Sequence, residues 1–326
     1  MSEQIFRGDG TPHEWQLPPA PPWRQFNGGP VVDIALETEW AERHPNELER
    51  ARAYRSTPDQ VEQVNLALLL RRPLLVTGRP GTGKSTLAYA LAHELGLDPV
   101  LRWPITSRTV LQDGLYRYDA IGRLQDSNLP AGERPSIDIG QYVRLGPLGT
   151  ALLPTDLPRV LLIDEIDKGD MDLPNDLLTV LEEGEFTIPE LQRIAAQHQV
   201  VKVGVDRSSG TAEVRDGVVR CRNFPLVVMT SNGERDFPPA FLRRCLQLDI
   251  PEPGPEQLEA IVRAHLGGEA LDGARGIIDD FLKKRSFGQL ATDQLLNAIF
   301  VTMQPGNRGR EELVERVLRH LAAPTP

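Results

Sequence analysis

With 326 residues, 40% of them hydrophobic and 25% charged, and a net charge of −10, the chain is ordinary globular material, long enough for two domains. The negative balance argues against sequence-independent binding to nucleic acid, which needs a basic face. Two cysteines, Cys221 and Cys245, have neither metal-ligand spacing nor disulfide density, and read as buried or incidental thiols in a reducing compartment.

Residues 1–32 are expected to form a proline-rich extended arm. Pro12, Pro18, Pro19, Pro21, Pro22 and Pro30 stand there among Trp15, Trp23 and Phe26, and prolines remove backbone donors and favour extended chain. Two readings stay open: a disordered tail, or an arm packed on its own body or on a neighbour. The segment has no apolar core of a signal peptide. The apolar run at 67–76 is broken by Arg71, Arg72 and Pro73 and is too short to span a bilayer. A cytoplasmic location without membrane contact is expected.

Residues 33–54 read as a polar helix interrupted at Pro45. A better-signed helix opens at Thr57, with Pro58 in its first turn, Gln60 three residues after the cap, and Val61, Val64, Leu68 and Leu69 at helical spacing. Short apolar runs then alternate with helices, at 74–77, 100–105, 160–163, 226–230 and 246–250. Such runs suit strands buried on both faces of a parallel α/β sheet. After Pro251-Glu252-Pro253-Gly254-Pro255 the pattern turns helical throughout. Leu258, Ile261, Val262 and His265 mark one helix, stopped by Gly267-Gly268. Ile277, Ile278, Phe281 and Leu282 mark a second, and Leu295, Leu296, Ile299 and Phe300 a third, with Thr292 as its cap. Leu313, Val314, Val317, Leu318 and Leu321 mark a fourth. The expected division is an arm at 1–32, an α/β domain at 33–250 and a small helical domain at 251–326.

Gly78-Arg79-Pro80-Gly81-Thr82-Gly83-Lys84-Ser85 fits G-x-x-x-x-G-K-[ST] without a mismatch. The glycines let backbone N–H groups close round an anionic phosphate, Lys84 adds a charge towards the β and γ phosphates, and the Ser85 hydroxyl can ligate Mg²⁺. A strand at 74–77 precedes the loop, and a helix running through Thr86 to residue 95 follows it, ended by Gly96. Both flanks of the strand–loop–helix unit are therefore present.

Asp164 and Glu165 end the apolar run at 160–163, at the strand C-termini where α/β sheets bind ligands. Asp164 is the expected Mg²⁺ holder and Glu165 the group that polarises an attacking water. Asp167 and Lys168 read as surface or interface charges. The run at 226–230 ends in Ser231-Asn232. Asn232 reaches the γ-phosphate or the lytic water if its strand lies between the other two; taken alone, it is a turn residue. Arg243 and Arg244 follow a short helix, and are either solvated cations at its end or an arginine finger for a neighbouring site.

Together, Gly78 to Ser85, the run Ile163-Asp164-Glu165-Ile166-Asp167, Thr230-Ser231-Asn232 and the stretch 237–244 resemble the AAA+ ATPases. Residues 141–153, with Leu145-Gly146-Pro147-Leu148, and the helix ending in Arg243-Arg244 resemble the MoxR family within them. The resemblance implies a P-loop NTPase fold: a five-stranded parallel αβα sandwich followed by a helical lid. It makes Gly78 to Ser85 the Walker A motif, Asp164 and Glu165 Walker B, Asn232 sensor 1, and Arg244 the arginine finger with Arg243 beside it. ATP and Mg²⁺ are the implied ligands. A ring homo-oligomer, usually a hexamer, and chaperone-like work beside a von Willebrand factor A domain protein are the implied partnerships. The lid departs from the pattern. Asp293 stands where such lids place a sensor 2 arginine, leaving Lys283, Lys284 or Arg285 to supply a cation. Residues 189–223 look like an enlarged hairpin for substrate or partner contact. A nucleotide-gated scaffold with little turnover is the alternative from another class, and a nucleic-acid motor a third that the charge disfavours.

Overall fold

The computed structural model describes residues 4–32, 45–128, 138–285 and 292–303. The expected fourth lid helix and the part of the first helix before Pro45 lie outside them. Eleven strands occur among the described residues: β1 (Leu74–Thr77), β2 (Leu101–Pro104), β3 (Tyr116–Tyr118), β4 (Val143–Leu145), β5 (Val160–Asp164), β6 (Glu185–Thr187), β7 (Val200–Gly204), β8 (Thr211–Arg215), β9 (Val218–Arg220), β10 (Leu226–Ser231) and β11 (Leu246–Asp249).

Five of them form one parallel sheet in the order β11-β1-β10-β5-β2. Side chains alternate across it with period two. Leu75, Leu161, Ile163, Val227 and Met229 enter one core. Leu74, Val76, Val160, Leu162 and Val228 enter another, against Val61, Val64, Leu87 and Leu91 of the helices Pro58–Leu70 and Lys84–Leu95. The three central strands are buried on both faces and apolar up to their polar C-terminal ends, with only Thr77 at the tip of β1 half-buried. The edges depart from that expectation: β2 alternates buried and exposed residues and β11 buries only Leu248, because an edge strand has covering helices and neighbours on fewer sides.

Local chemistry sets the element ends. Thr57 caps the helix Pro58–Leu70 in a reciprocal box with Gln60, and Gly96 ends the helix Lys84–Leu95 in a left-handed conformation. Residues 255–303 build a separate core from the helices Pro255–Leu266, Gly268–Arg285 and Thr292–Met303, centred on Leu258, Val262, Ile278, Phe281, Leu295 and Ile299. No helix among the described residues is long and apolar enough to cross a membrane.

The enlarged hairpin is part of something larger. The strands β7 and β8 do pair as an antiparallel hairpin, but they sit inside a second, six-stranded sheet ordered β3-β4-β7-β8-β9-β6. Its inward residues Val201, Val203, Val214 and Val219 share a core with Leu161 and Ile163 of the first sheet.

The arm is packed on its own body. Phe6 is fully buried, and the Asn65 side chain accepts from the amides of Ile5 and Phe6 at 3.0 Å while donating to the Phe6 carbonyl at 2.8 Å. The Glu94 carboxylate accepts from the amides of Arg7, Gly8 and Gly10, and the Trp15 indole donates to the Leu95 carbonyl. Arg24 is buried, donates to the carbonyls of Arg71, Leu181 and Glu182, and lies about 5 Å from the ring centroids of Phe26 and Phe224. Truncating it leaves several buried acceptors unpaired. Arg24→Ala should therefore lower the unfolding free energy by about 2–4 kcal/mol, read by urea denaturation. A loss below about 0.5 kcal/mol would mean that Arg24 contributes little to holding the arm.

Candidate active site at the C-terminal edge of the parallel sheet

The phosphate loop leaves β1 and enters the helix Lys84–Leu95. Gly83 has φ 90°, a conformation that disfavours any side chain. At Gly78, a Cβ would lie 2.4 Å from the Ile250 carbonyl oxygen. The first-turn amides of the helix have no intrahelical acceptor, and with the helix dipole they form an anion-binding end. The Lys84 ammonium is folded back into the loop, donating to the carbonyls of Gly78 (2.7 Å) and Arg79 (2.8 Å) and to Asn232 Oδ1 (2.8 Å). Burial pulls its pKa down, against the opposing fields of Asp167, Glu165, Asp164 and Asp249.

Since β10 lies between β1 and β5, the condition placed on Asn232 is met, and both polar strand ends converge on the loop. Asp164 Oδ1 accepts from the hydroxyls of Ser85 (2.7 Å) and Thr230 (2.9 Å). Its Oδ2 accepts from Arg102 Nε (3.2 Å) and Nη2 (2.7 Å). Burial alone would raise this carboxyl, but the hydrogen bonds from Ser85, Arg102 and Thr230 outweigh it and hold the group below the ordinary aspartate range. An ionised carboxylate beside a serine hydroxyl suits Mg²⁺, which takes one or two protein carboxylates and completes its shell with phosphate and water.

Glu165 sits in a left-handed conformation at φ 60° and ψ 52°. Its amide donates to Thr230 Oγ1 at 2.8 Å and its carboxylate accepts from Lys168 Nζ at 2.8 Å. Lys168 is thus a partner of Glu165. Asp167 is no surface charge: it is buried, and its Oδ2 accepts from the amides of Asn232 (2.9 Å) and Glu234 (3.1 Å). This departs from the surface or interface charge that the sequence suggests, because a short 3-10 turn, Ile166–Lys168, buries both Ile166 and Asp167 and leaves Lys168 outside.

Arg243 and Arg244 lie at the other end of β1. Arg72, just before that strand, donates to the Arg244 carbonyl at 3.2 Å, and Arg244 Nε pairs with Glu182 at 3.1 Å while Arg243 is exposed. Neither is brought to the phosphate loop of its own chain.

Beside the loop opens a cavity of about 330 Å³, walled by Tyr54, Gly83, Thr86, Ile250, Ile261, His265 and Leu296, among others. Its walls come from the segment before Thr57, the end of β11 and the lid. The Tyr54 phenol donates to Gln60 Oε1 at 3.3 Å, and burial raises its pKa. These residues carry no motif. The only sequence signals for them are their positions beside the capping box and the proline-rich connection.

Thr230 ties the two acids together, donating to Asp164 and accepting from Glu165. Thr230→Val keeps the shape but leaves the Glu165 amide without its acceptor and removes one of the donors to Asp164, so it should cost about 1–3 kcal/mol of stability by chemical denaturation. An unchanged midpoint would show that this hydroxyl carries no structural work.

No curated protein matches the chain. The family model of the AAA domain, dynein-related subfamily, matches residues 73–245, from the head of β1 to the head of β11 and just over half of the chain. The phosphate loop, the acidic strand end and four of the five strands of the parallel sheet lie within the matched residues, and the chain belongs to this dynein-related family of AAA+ P-loop ATPases.

Proposed function

We propose that the chain is an ATP hydrolase of MoxR type, working with Mg²⁺ in a ring of identical subunits to remodel or activate a partner protein. The observation that carries the reading is the convergence of Ser85, Lys84, Thr230 and Asn232 on the ionised Asp164 and the mouth of the phosphate loop. The loop amides and Lys84 bind the triphosphate, and the neighbouring cavity takes the base. Ser85 and Asp164 would hold Mg²⁺, which would supply charge neutralisation for the triphosphate.

The chain's own residues then have separable tasks. Lys84 must leave Asn232 Oδ1 to face phosphate, and this frees the Asn232 amide group to orient water. Glu165 must leave Lys168 to accept a proton from that water. Arg244 stands far from its own loop, which supports a role in a neighbour's site, where such fingers are worth about 10³–10⁵ in rate. That placement supports assembly as a ring, commonly six subunits in the MoxR family. A protein with a von Willebrand factor A domain is the partner class the same resemblance carries.

A second reading, a nucleotide-gated scaffold with little turnover, is favoured by one observation: the Glu165 carboxylate is engaged by Lys168. The two readings separate on specific ATPase activity against protein concentration, which climbs with assembly for a motor and stays at background for a scaffold. Lys84→Ala should abolish ATP uptake. Glu165→Gln should keep ATP while turnover falls by about 10² or more. Arg244→Ala should bind ATP normally and turn over slowly, and mixing it with Glu165→Gln should restore activity at interfaces joining an intact site to an intact finger. No recovery at any mixing ratio would rule out Arg244 acting between subunits.

A further inference from the structure

The lid and the phosphate loop are joined through one carboxylate. Glu252 lies in the connection between β11 and the helix Pro255–Leu266, where Pro251, Pro253 and Pro255 fix the backbone around it. Its Oε1 accepts from Arg79 Nη1 at 2.9 Å, and its Oε2 faces Arg285 Nε at 3.4 Å. Arg285 is the last residue of the helix Gly268–Arg285. Its side chain is only 13% exposed, donates from Nη1 to the Pro253 carbonyl at 3.0 Å, and lies 5.7 Å from the ring centroid of Phe281 in the lid core. Arg79 belongs to the phosphate loop, and its carbonyl accepts from Lys84 at 2.8 Å.

We propose that Arg285 is a positioning residue for the nucleotide, coupling the lid to the phosphate loop through Glu252 and Arg79. The inference rests on the ATP reading above. A pair made only by Arg79, 61% exposed, and Glu252, 30% exposed, would count for little. Arg285 changes the balance, because its guanidinium is already ordered by a carbonyl and an aromatic face and meets the carboxylate with little further loss of freedom. The lid contributes Ile261, His265, Thr292 and Leu296 to the base cavity, so holding Arg285 against Glu252 holds that wall in place.

The test is equilibrium binding of ATP and of inorganic tripolyphosphate to the full chain. Arg285→Ala should weaken ATP about five- to tenfold and tripolyphosphate less than twofold, since the bare anion needs no wall against a base. Glu252→Gln should weaken ATP in the same way, the double variant should lose no more than the worse single one, and Arg285→Lys should recover part of the affinity. In steady state, KM for ATP should rise by more than kcat falls. Glu252→Gln touches no lid core residue, so it decides the matter even if Arg285→Ala fails to fold. Unchanged ATP affinity in Glu252→Gln, equal losses for ATP and tripolyphosphate, or fully additive losses would overturn the inference alone. A wild-type chain that takes up no ATP would overturn the function with it.

Discussion

An ionised carboxylate at the end of a buried strand is the constraint on which the rest of the site depends. Asp164 is poorly solvated, and an unpartnered charge there would be costly. It is tolerated because the helix after the phosphate loop, the strand β10 and the edge strand β2 each send a donor to it. Those bonds keep it charged, and they also fix where its neighbours sit. Ser85 is drawn to the mouth of the loop, and Thr230 in turn orders the backbone of Glu165. The order of the parallel strands is thus tied to the chemistry: β10 must lie between β1 and β5 for Lys84, Asn232 and Asp164 to meet. Asp167 repeats the device one turn later, spending one carboxylate oxygen on the amides of Asn232 and Glu234.

Much of this was legible in the sequence, and the reason is physical. Phosphate binding needs glycines, a lysine and a hydroxyl at fixed spacing, so residues 78–85 could be read directly, and a strand buried on both faces has to be apolar, so β1, β5 and β10 could be too. The helix from Pro58 was legible because its cap is a pair of reciprocal side-chain-to-backbone hydrogen bonds between Thr57 and Gln60. What escaped was set by long-range contact. The second sheet is assembled from strands of three to five residues, joined across long separations and including a parallel pairing of β4 with β7, and no local pattern encodes that. Arg102 was invisible for a similar reason: its role comes from its place on an edge strand beside β5. The base cavity carries no motif of its own, because its walls come from the segment before Thr57, the phosphate loop, the connection after β11 and the lid.

The arm and the arginine pair bear on how the molecule can work. The arm is spent on its own body, with Phe6, Trp15 and Arg24 holding the helices that flank the first sheet. Arg244 sits at the head of β1 and β11, at the opposite edge from the loop, in a pair with Glu182. A cation in that position has no route to its own phosphates, so the proposed finger role of Arg244 needs a second copy of the chain. Under the proposed function nucleotide chemistry and assembly become a single question, and the proposed lid contact through Glu252 brings the base cavity into it.

The most direct measurement is calorimetric titration of ATP into the purified, folded full-length chain, with and without Mg²⁺. The account predicts one saturable nucleotide per chain, tightened by Mg²⁺ in the wild type and losing that dependence in Asp164→Asn. An absence of binding heat, or uptake equally strong in Asp164→Asn with and without Mg²⁺, would contradict it.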